Sequence, residues 1–350
     1  MSASDSLTIA ICPRLTEAQV QRLASADPRI EILWQPDLYA PARVEGDIDG
    51  DPDWHRTPEQ QARYDAMCDS ADALFDLPDG RPAKLRRCVE ANPRLRWVHT
   101  MAAGGGAAIR AANLSQADLD RLTVTTSAGV HADTLAEFAL YGVLAGAKLL
   151  PTMQQQQRDH LWDDRVDVRQ VADMTVVIVG MGHIGRRAAH YLQALGAHVI
   201  GVNRTPRQVP GVEMHLDDDL IDVASKADAI INCLPSAIGT DKLISAEVLA
   251  AAPPGLIVVS LGRGSCIDEP ALIDGLRSGQ VGFAALDVVT QEPLPTDSPL
   301  WDLPNVLISP HNMSYSPRLI DRVIDLLASN AKALLDGRPP HNVMNKELFY

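Results

Sequence analysis

Four side chains, spread over fifty residues, have the makings of an acid–base site. Arg263 stands between two glycines in SLGRGSCIDE, Asp287 and Glu292 lie in LDVVTQEPLP, and His311 lies in SPHNMS. Arg263, Asp287 and His311 each follow closely on an apolar run of strand character. An arginine can grip a carboxylate through two parallel hydrogen bonds. A histidine gives or takes a proton near neutral pH, and a neighbouring carboxylate stabilises its imidazolium form. Singly, each residue has a plainer reading: Arg263 as a loop arginine, Glu292 as a turn cap, His311 as one of ten histidines. Their order and spacing lift them above it.

A second constellation precedes them. TVVIVGMGHIGRRAAHYLQALG contains Gly180-x-Gly182-x-x-Gly185. The motif is weak by itself, but here it follows a strand and opens a helix, as a dinucleotide-binding turn requires. Gly180 permits the tight turn, Gly182 lets backbone approach a pyrophosphate, and Gly185 lets the helix pack on the strand. The helix start then offers free N–H groups to the anion. About 20 residues on, an NAD site carries Asp or Glu for the ribose hydroxyls. This chain has Asn203 there, followed by Arg204, Thr205 and Arg207. A carboxylate would repel a 2′-phosphate, whereas a neutral amide, an arginine and a hydroxyl would accept it. NADP is therefore predicted. NAD is the alternative if these arginines are solvated loop charges.

The elements that must position these residues read as alternating strands and helices. Strands are predicted over 7–12, 30–34, 71–78 and 95–101. A helix is predicted over 16–25 with Thr16 as its cap, and another after Thr57, which forms a capping box with Gln60. Residues 36–58 lose periodicity and collect Pro, Gly and Asp, which predicts a long polar loop. A long apolar helix is predicted over 131–150, ending before Pro151, with a polar stretch over 154–170. Then come short apolar runs at 175–179, 198–203, 229–234, 256–261, 283–289 and 306–310, most separated by helical segments. That alternation indicates a parallel sheet covered on both faces. Ligands bind beyond the carboxyl ends of such strands, where all the residues above would lie. A last amphipathic helix is predicted over 316–336.

With 350 residues, 46% of them hydrophobic and 22% charged, the chain suits two globular domains. Aromatics are only 4%, so Ala, Val, Leu and Ile must build the cores. Lys and Arg number 31 against 45 Asp and Glu, a net charge of −14. That excess argues against nucleic acid and membrane surfaces as partners, and an anionic substrate would need a local basic anchor. Five scattered cysteines without a Cys-x-x-Cys pair suggest neither disulfides nor zinc, and the histidines show no metal-ligand spacing. Cys233 and Cys266, near the proposed site, read as small buried hydrophobes. No signal peptide or apolar run of about 18 residues is evident, so a soluble, cytoplasmic protein is expected.

The succession GMGHIG, NCLP, SLGRGSCIDE, LDVVTQEPLP and SPH resembles the D-isomer-specific 2-hydroxyacid dehydrogenase family, which includes glyoxylate/hydroxypyruvate reductases and phosphoglycerate dehydrogenases. The similarity is dense over 174–312, weaker over 95–150 and faint over 1–90. It implies two Rossmann-like α/β domains. A doubly wound cofactor domain (127–313, with the crossing helix 131–150) would be inserted into a discontinuous substrate domain (1–126 and 314–350). It implies hydride transfer between NAD(P)H and a small 2-oxo acid, giving the D-2-hydroxy acid. His311 would be the acid–base residue, Glu292 its partner, and Arg263 the anchor of the carboxylate and carbonyl. Asp287 would sit near the nicotinamide. His183 and Ile184 within the turn, Leu234 and Pro235, and Leu261 and Gly262 would also contact the cofactor. A glycine loop, MAAGGGAA, would meet the substrate carboxylate through backbone N–H groups of Ala103, Gly104 and Gly105. The family more often has a Gly-Ala-Gly-Val-Asp type of sequence there. A homodimer is implied, with Trp162 placed to reach the partner's site. A bulkier 2-hydroxy acid, or the role of a nucleotide-sensing, protein-binding corepressor, are the alternatives. Formate dehydrogenase relatives carry Gln where this chain has Glu292.

Overall fold

The computed structural model describes residues 6–43, 50–163, 165–235, 237, 239–347 and 349. Part of the polar loop, 44–49, lies outside them. The chain divides into two compact units, residues 1–130 with 317–350 and residues 131–316.

The first unit is built on five parallel strands: β1 Leu7–Ile11, β2 Ile30–Leu33, β3 Ala73–Phe75, β4 Trp97–Thr100 and β5 Thr123–Thr126. Their order is β2-β1-β3-β4-β5, the doubly wound order whose switch point lies between β1 and β3. Helices Glu17–Ala24 and Pro58–Asp69 both start at complete capping boxes, Thr16 with Gln19 and Thr57 with Gln60. One sheet face packs Ile9, Phe75 and Trp97 against Val323, Leu327 and Leu334 of the late helix Leu319–Leu335. The other packs Leu74, Val98 and Val124 against Tyr64, Leu85 and Ile109.

The second unit has seven parallel strands: β6 Thr175–Val179, β7 His198–Val202, β8 Glu213–His215, β9 Ala229–Asn232, β10 Leu256–Ser260, β11 Val281–Leu286 and β12 Val306–Ile308. They run in the order β12-β11-β10-β9-β6-β7-β8. The order reverses beside β6, which opens the crevice where such sheets bind ligands. Along β6, Val176 and Ile178 enter one core and Val177 and Val179 the other. A run of branched apolar residues is what a strand covered on both faces needs.

One expectation is corrected. The single helix over 131–150 is two: Ala132–Ala147, then Leu150–Arg158, separated by Leu149 at φ 55°. Pro151 starts the second helix instead of ending the first. In the first turn its missing N–H would have had no partner anyway. Much of the first half of the polar stretch 154–170 is therefore helical. The apolar character of Ala132–Ala147 is met within the unit, where Leu135, Ala139 and Val143 share a core with Val259 and Ala285. Among the described residues no helix is long and apolar enough to cross a membrane.

His99 on β4 is fully buried, held between the hydroxyls of Thr125 (2.7 Å) and Ser127 (3.1 Å). Burial lowers its pKa to about 4. The unfolded chain, with an ordinary histidine pKa of about 6.5, therefore binds the extra proton first. The stabilising contribution is complete above about pH 6.5 and is lost as pH falls toward about 4. It amounts to about 3 kcal/mol. Urea unfolding across that window should show this slope, and it should flatten in His99→Asn. Parallel slopes for the two proteins would mean that another group is responsible.

Candidate active site

The glycine turn sits at the carboxyl end of β6. Gly180 has φ +100°, in the region L side chains rarely adopt, and a Cβ there would meet the Cys233 carbonyl at 2.9 Å. A Cβ on Gly185 would come within 2.2 Å of the Gly180 oxygen, so the helix His183–Ala194 lies tight on the turn. A Cβ on Gly182 would meet nothing within 4 Å: its space is open toward the crevice. Ile184 is partly buried against the core beneath.

Cations gather around this turn. Arg207 donates to the Met181 carbonyl at 2.9 Å and Arg186 reaches the same oxygen at 3.5 Å. Burial, followed by the nearby Arg207, pulls the Arg186 guanidinium below the ordinary arginine value. Burial, then Arg186 and Arg207, hold the His183 imidazole below the usual histidine range. Such mutual repulsion is relieved by an anion. Asn203 donates to the carbonyl and hydroxyl of Thr205 at 3.0 and 3.2 Å, closing a small ring at the end of β7. Arg204 extends from this ring toward Gly239, beyond β9. Arg186 and the closing role of Arg207 lay outside the sequence expectations; their signal was the density of arginines around one turn.

The acid–base residues gather at the ends of β10, β11 and β12. His311 Nδ1 lies 2.7 Å from Glu292 Oε2, and both side chains keep solvent access. Nε2 has no partner among the described residues. Glu292 Oε1 accepts from the Val289 N–H at 3.2 Å, which orients the carboxylate. His311 has φ 53°, imposed by the loop around Asp287. Asp287 is buried, and its Oδ1 accepts from Ser309 Oγ, Asn312 N and Met313 N at 2.7, 3.0 and 3.2 Å. Its carbonyl accepts from His311 N at 3.0 Å.

Arg263 is exposed after β10. Its Nη1 donates to the Gly262 carbonyl at 2.8 Å, and no carboxylate pairs with it among the described residues. A Cβ on the next residue, Gly264, would lie 1.9 Å from the Val289 carbonyl carbon, so the Arg263 and Glu292 loops touch. Asn232 ties the same region from the other side. Its amide donates to Ser260 Oγ (3.2 Å) and the Arg263 carbonyl (3.0 Å), and its oxygen accepts from Leu234 N (3.1 Å). A Cβ on Gly262 would lie 2.2 Å from the Leu234 oxygen, which brings Leu234 against the buried Leu261–Gly262 pair. Pro235 follows, exposed. Sequence reasoning passed over Asn232; a polar residue inside the apolar run AIINCL was the available signal. Burial pushes the Cys233 thiol up to about 12 and raises that of Cys266, so neither is a nucleophile at neutral pH.

Ala103, Gly104 and Gly105 belong to the other unit, after β4. Ala103 and Gly104 are exposed, and their N–H groups find no acceptor among the described residues. Gly105 is buried against Thr100.

Replacing Asn232 by Ala should cost about 2–4 kcal/mol, because it strands the Arg263 carbonyl and the Leu234 N–H. Urea unfolding measures it. A loss below about 1 kcal/mol would mean that water substitutes for the amide.

Comparison with known proteins agrees with this geometry. Residues 140–312 match the family model described as D-isomer specific 2-hydroxyacid dehydrogenase, NAD binding domain. D-3-phosphoglycerate dehydrogenase of Mycobacterium leprae is 35% identical over 236 residues, 64% of this chain and 44% of that one. The chain thus matches less than half the length of that relative. Glyoxylate/hydroxypyruvate reductase A of Salmonella dublin is 32% identical over 71% of this chain and 80% of its own. A D-isomer specific 2-hydroxyacid dehydrogenase of Xanthobacter autotrophicus Py2, solved with NADPH and MES, superimposes with a TM-score of 0.76 at 27% identity. That match covers 99% of this chain and 100% of that one. By sequence match, sheet order and the position of its glycine turn, this chain belongs to the D-isomer specific 2-hydroxyacid dehydrogenase family.

Proposed function

We propose that this protein is an NADP-preferring reductase of small 2-oxo acids, with glyoxylate and hydroxypyruvate as the leading substrates. The observation that carries the reading is the His311–Glu292 pair, set at 2.7 Å at the sheet edge that also bears an unpaired Arg263. The open space at Gly182 and the cations around Met181 suit a dinucleotide pyrophosphate. Asn203, Arg204, Thr205 and Arg207 suit a 2′-phosphate, since Asn203 stands where an NAD site carries a carboxylate. Both the Xanthobacter relative and a Sinorhizobium meliloti glyoxylate/hydroxypyruvate reductase were solved with this nucleotide.

When bound, the reduced nicotinamide supplies a hydride to the carbonyl carbon of the 2-oxo acid. His311 Nε2–H donates the proton that the carbonyl oxygen acquires, and Glu292 at Nδ1 stabilises the imidazolium until that transfer. Arg263 holds the carboxylate and polarises the carbonyl. In this reading the first unit is the substrate domain, with Ala103 and Gly104 offering N–H groups to the carboxylate. Asp287 acts through the His311 loop as a positioning residue. The reading includes a homodimer. It draws support from Trp162, which is fully exposed alongside Leu161, Val166 and Val168.

His311→Ala should lower kcat about 10²–10⁴-fold while leaving NADPH affinity unchanged; unaltered turnover would refute the assignment. Arg204→Ala should weaken NADPH about tenfold or more and NADH hardly at all. Equal losses for the two nucleotides would remove the phosphate site. Both tests rest on oxidation followed at the nicotinamide band with a panel of 2-oxo acids.

A further inference from the structure

The first unit carries a feature that the reaction scheme does not use. Residues 342–344 run back along β5, the edge strand of its sheet. Val343 pairs antiparallel with Thr125, Met344 N donates to the Val124 carbonyl at 2.9 Å, and Thr126 N donates to the Asn342 carbonyl at 3.1 Å. The Asn342 amide donates to the carbonyls of Thr126 and Ala128 at 3.2 and 2.7 Å. Further on, Phe349 N donates to the Asn345 carbonyl at 2.8 Å, and Phe349 lies against the start of the helix Gly106–Ala111.

The contact there is close. A Cβ on Gly106 would lie 1.9 Å from the Phe349 oxygen and 3.2 Å from Met344 Sδ. On the other side, a Cβ on Gly105 would lie 2.0 Å from Thr100 Oγ1. The two glycines are thus held between β4 and the returning segment, and only glycine fits either place. The helix itself cannot hold the loop: it has six residues and no side-chain cap. Packing from outside must do so.

We propose that Asn342–Met344 together with Phe349 form a positioning clamp for the loop Ala103–Gly105, setting where the free N–H groups of Ala103 and Gly104 stand. The proposal rests on the reading of that loop as the substrate-carboxylate contact. It also accounts for a glycine at position 106.

The test compares full-length Phe349→Ala and Gly106→Ala with Val20→Ala, a core truncation in the same unit away from the loop. Two readouts are taken: amide hydrogen exchange over residues 103–109, and the KM for glyoxylate beside kcat and the NADPH Kd. Phe349→Ala and Gly106→Ala should speed exchange at Ala107 and Ala108 about tenfold or more. They should raise KM about fivefold to tenfold with kcat and the NADPH Kd little changed. Val20→Ala should do neither. Unchanged loop exchange in both clamp variants would overturn the clamp. Faster exchange with an unmoved KM would overturn the loop's role toward substrate, and the proposal with it. A wild-type chain without turnover on any 2-oxo acid would instead sink the functional reading.

Discussion

The site depends on one buried carboxylate. Burying a charge is costly unless its oxygens are satisfied. Asp287 meets that demand by drawing a hydroxyl and two backbone N–H groups onto Oδ1. All three donors come from residues 309–313, so the loop after β12 must wrap around the end of β11. The wrap forces His311 into a left-handed conformation and aims its imidazole at Glu292. The geometry of the acid–base pair is thus inherited from a residue that need not touch the reacting atoms. Asn232 does the same for the Arg263 loop, from β9.

Charge is distributed to the same end. The chain carries a net −14, yet Arg186, Arg207 and Arg263 have no carboxylate partner among the described residues. Several arginines elsewhere are matched: Arg22 with Asp325, Arg29 with Asp27 and Asp336, Arg87 with Asp69. A few unneutralised cations at one sheet edge, within an acidic surface, focus the field on anions of the right size.

Much of this was legible in the residues. The apolar runs placed β6, β7, β9, β10 and β12 within a residue or two and β11 within three, because strands buried on both faces have no polar side to confuse the pattern. Thr16 and Thr57 marked helix starts because capping chemistry is local. What escaped was set by contacts distant in sequence. β5, TVTT, shows no apolar run, and Thr125 serves both His99 and Trp97 through its hydroxyl. Pro151 reads equally as a stop or a start until the turn at Leu149 is seen. Gly106 has a reason only in Phe349, and Asn232 only in Arg263. The roles of single site residues came from motif order and remain for the experiments above.

The discontinuity of the first unit has a consequence for synthesis. Ile9, Phe75 and Trp97 complete their burial only when the helix Leu319–Leu335 arrives. The intervening segment 131–316 takes on the order of 10–40 s to translate at about 5–20 residues per second. For that interval the nascent chain carries a sheet with one apolar face covered only in part, by the helix Glu17–Ala24. The second unit, contiguous in sequence, can complete itself meanwhile. The ribosome therefore delivers the nucleotide-binding half first, and the other half waits, exposed to chaperones and to its neighbours on the polysome.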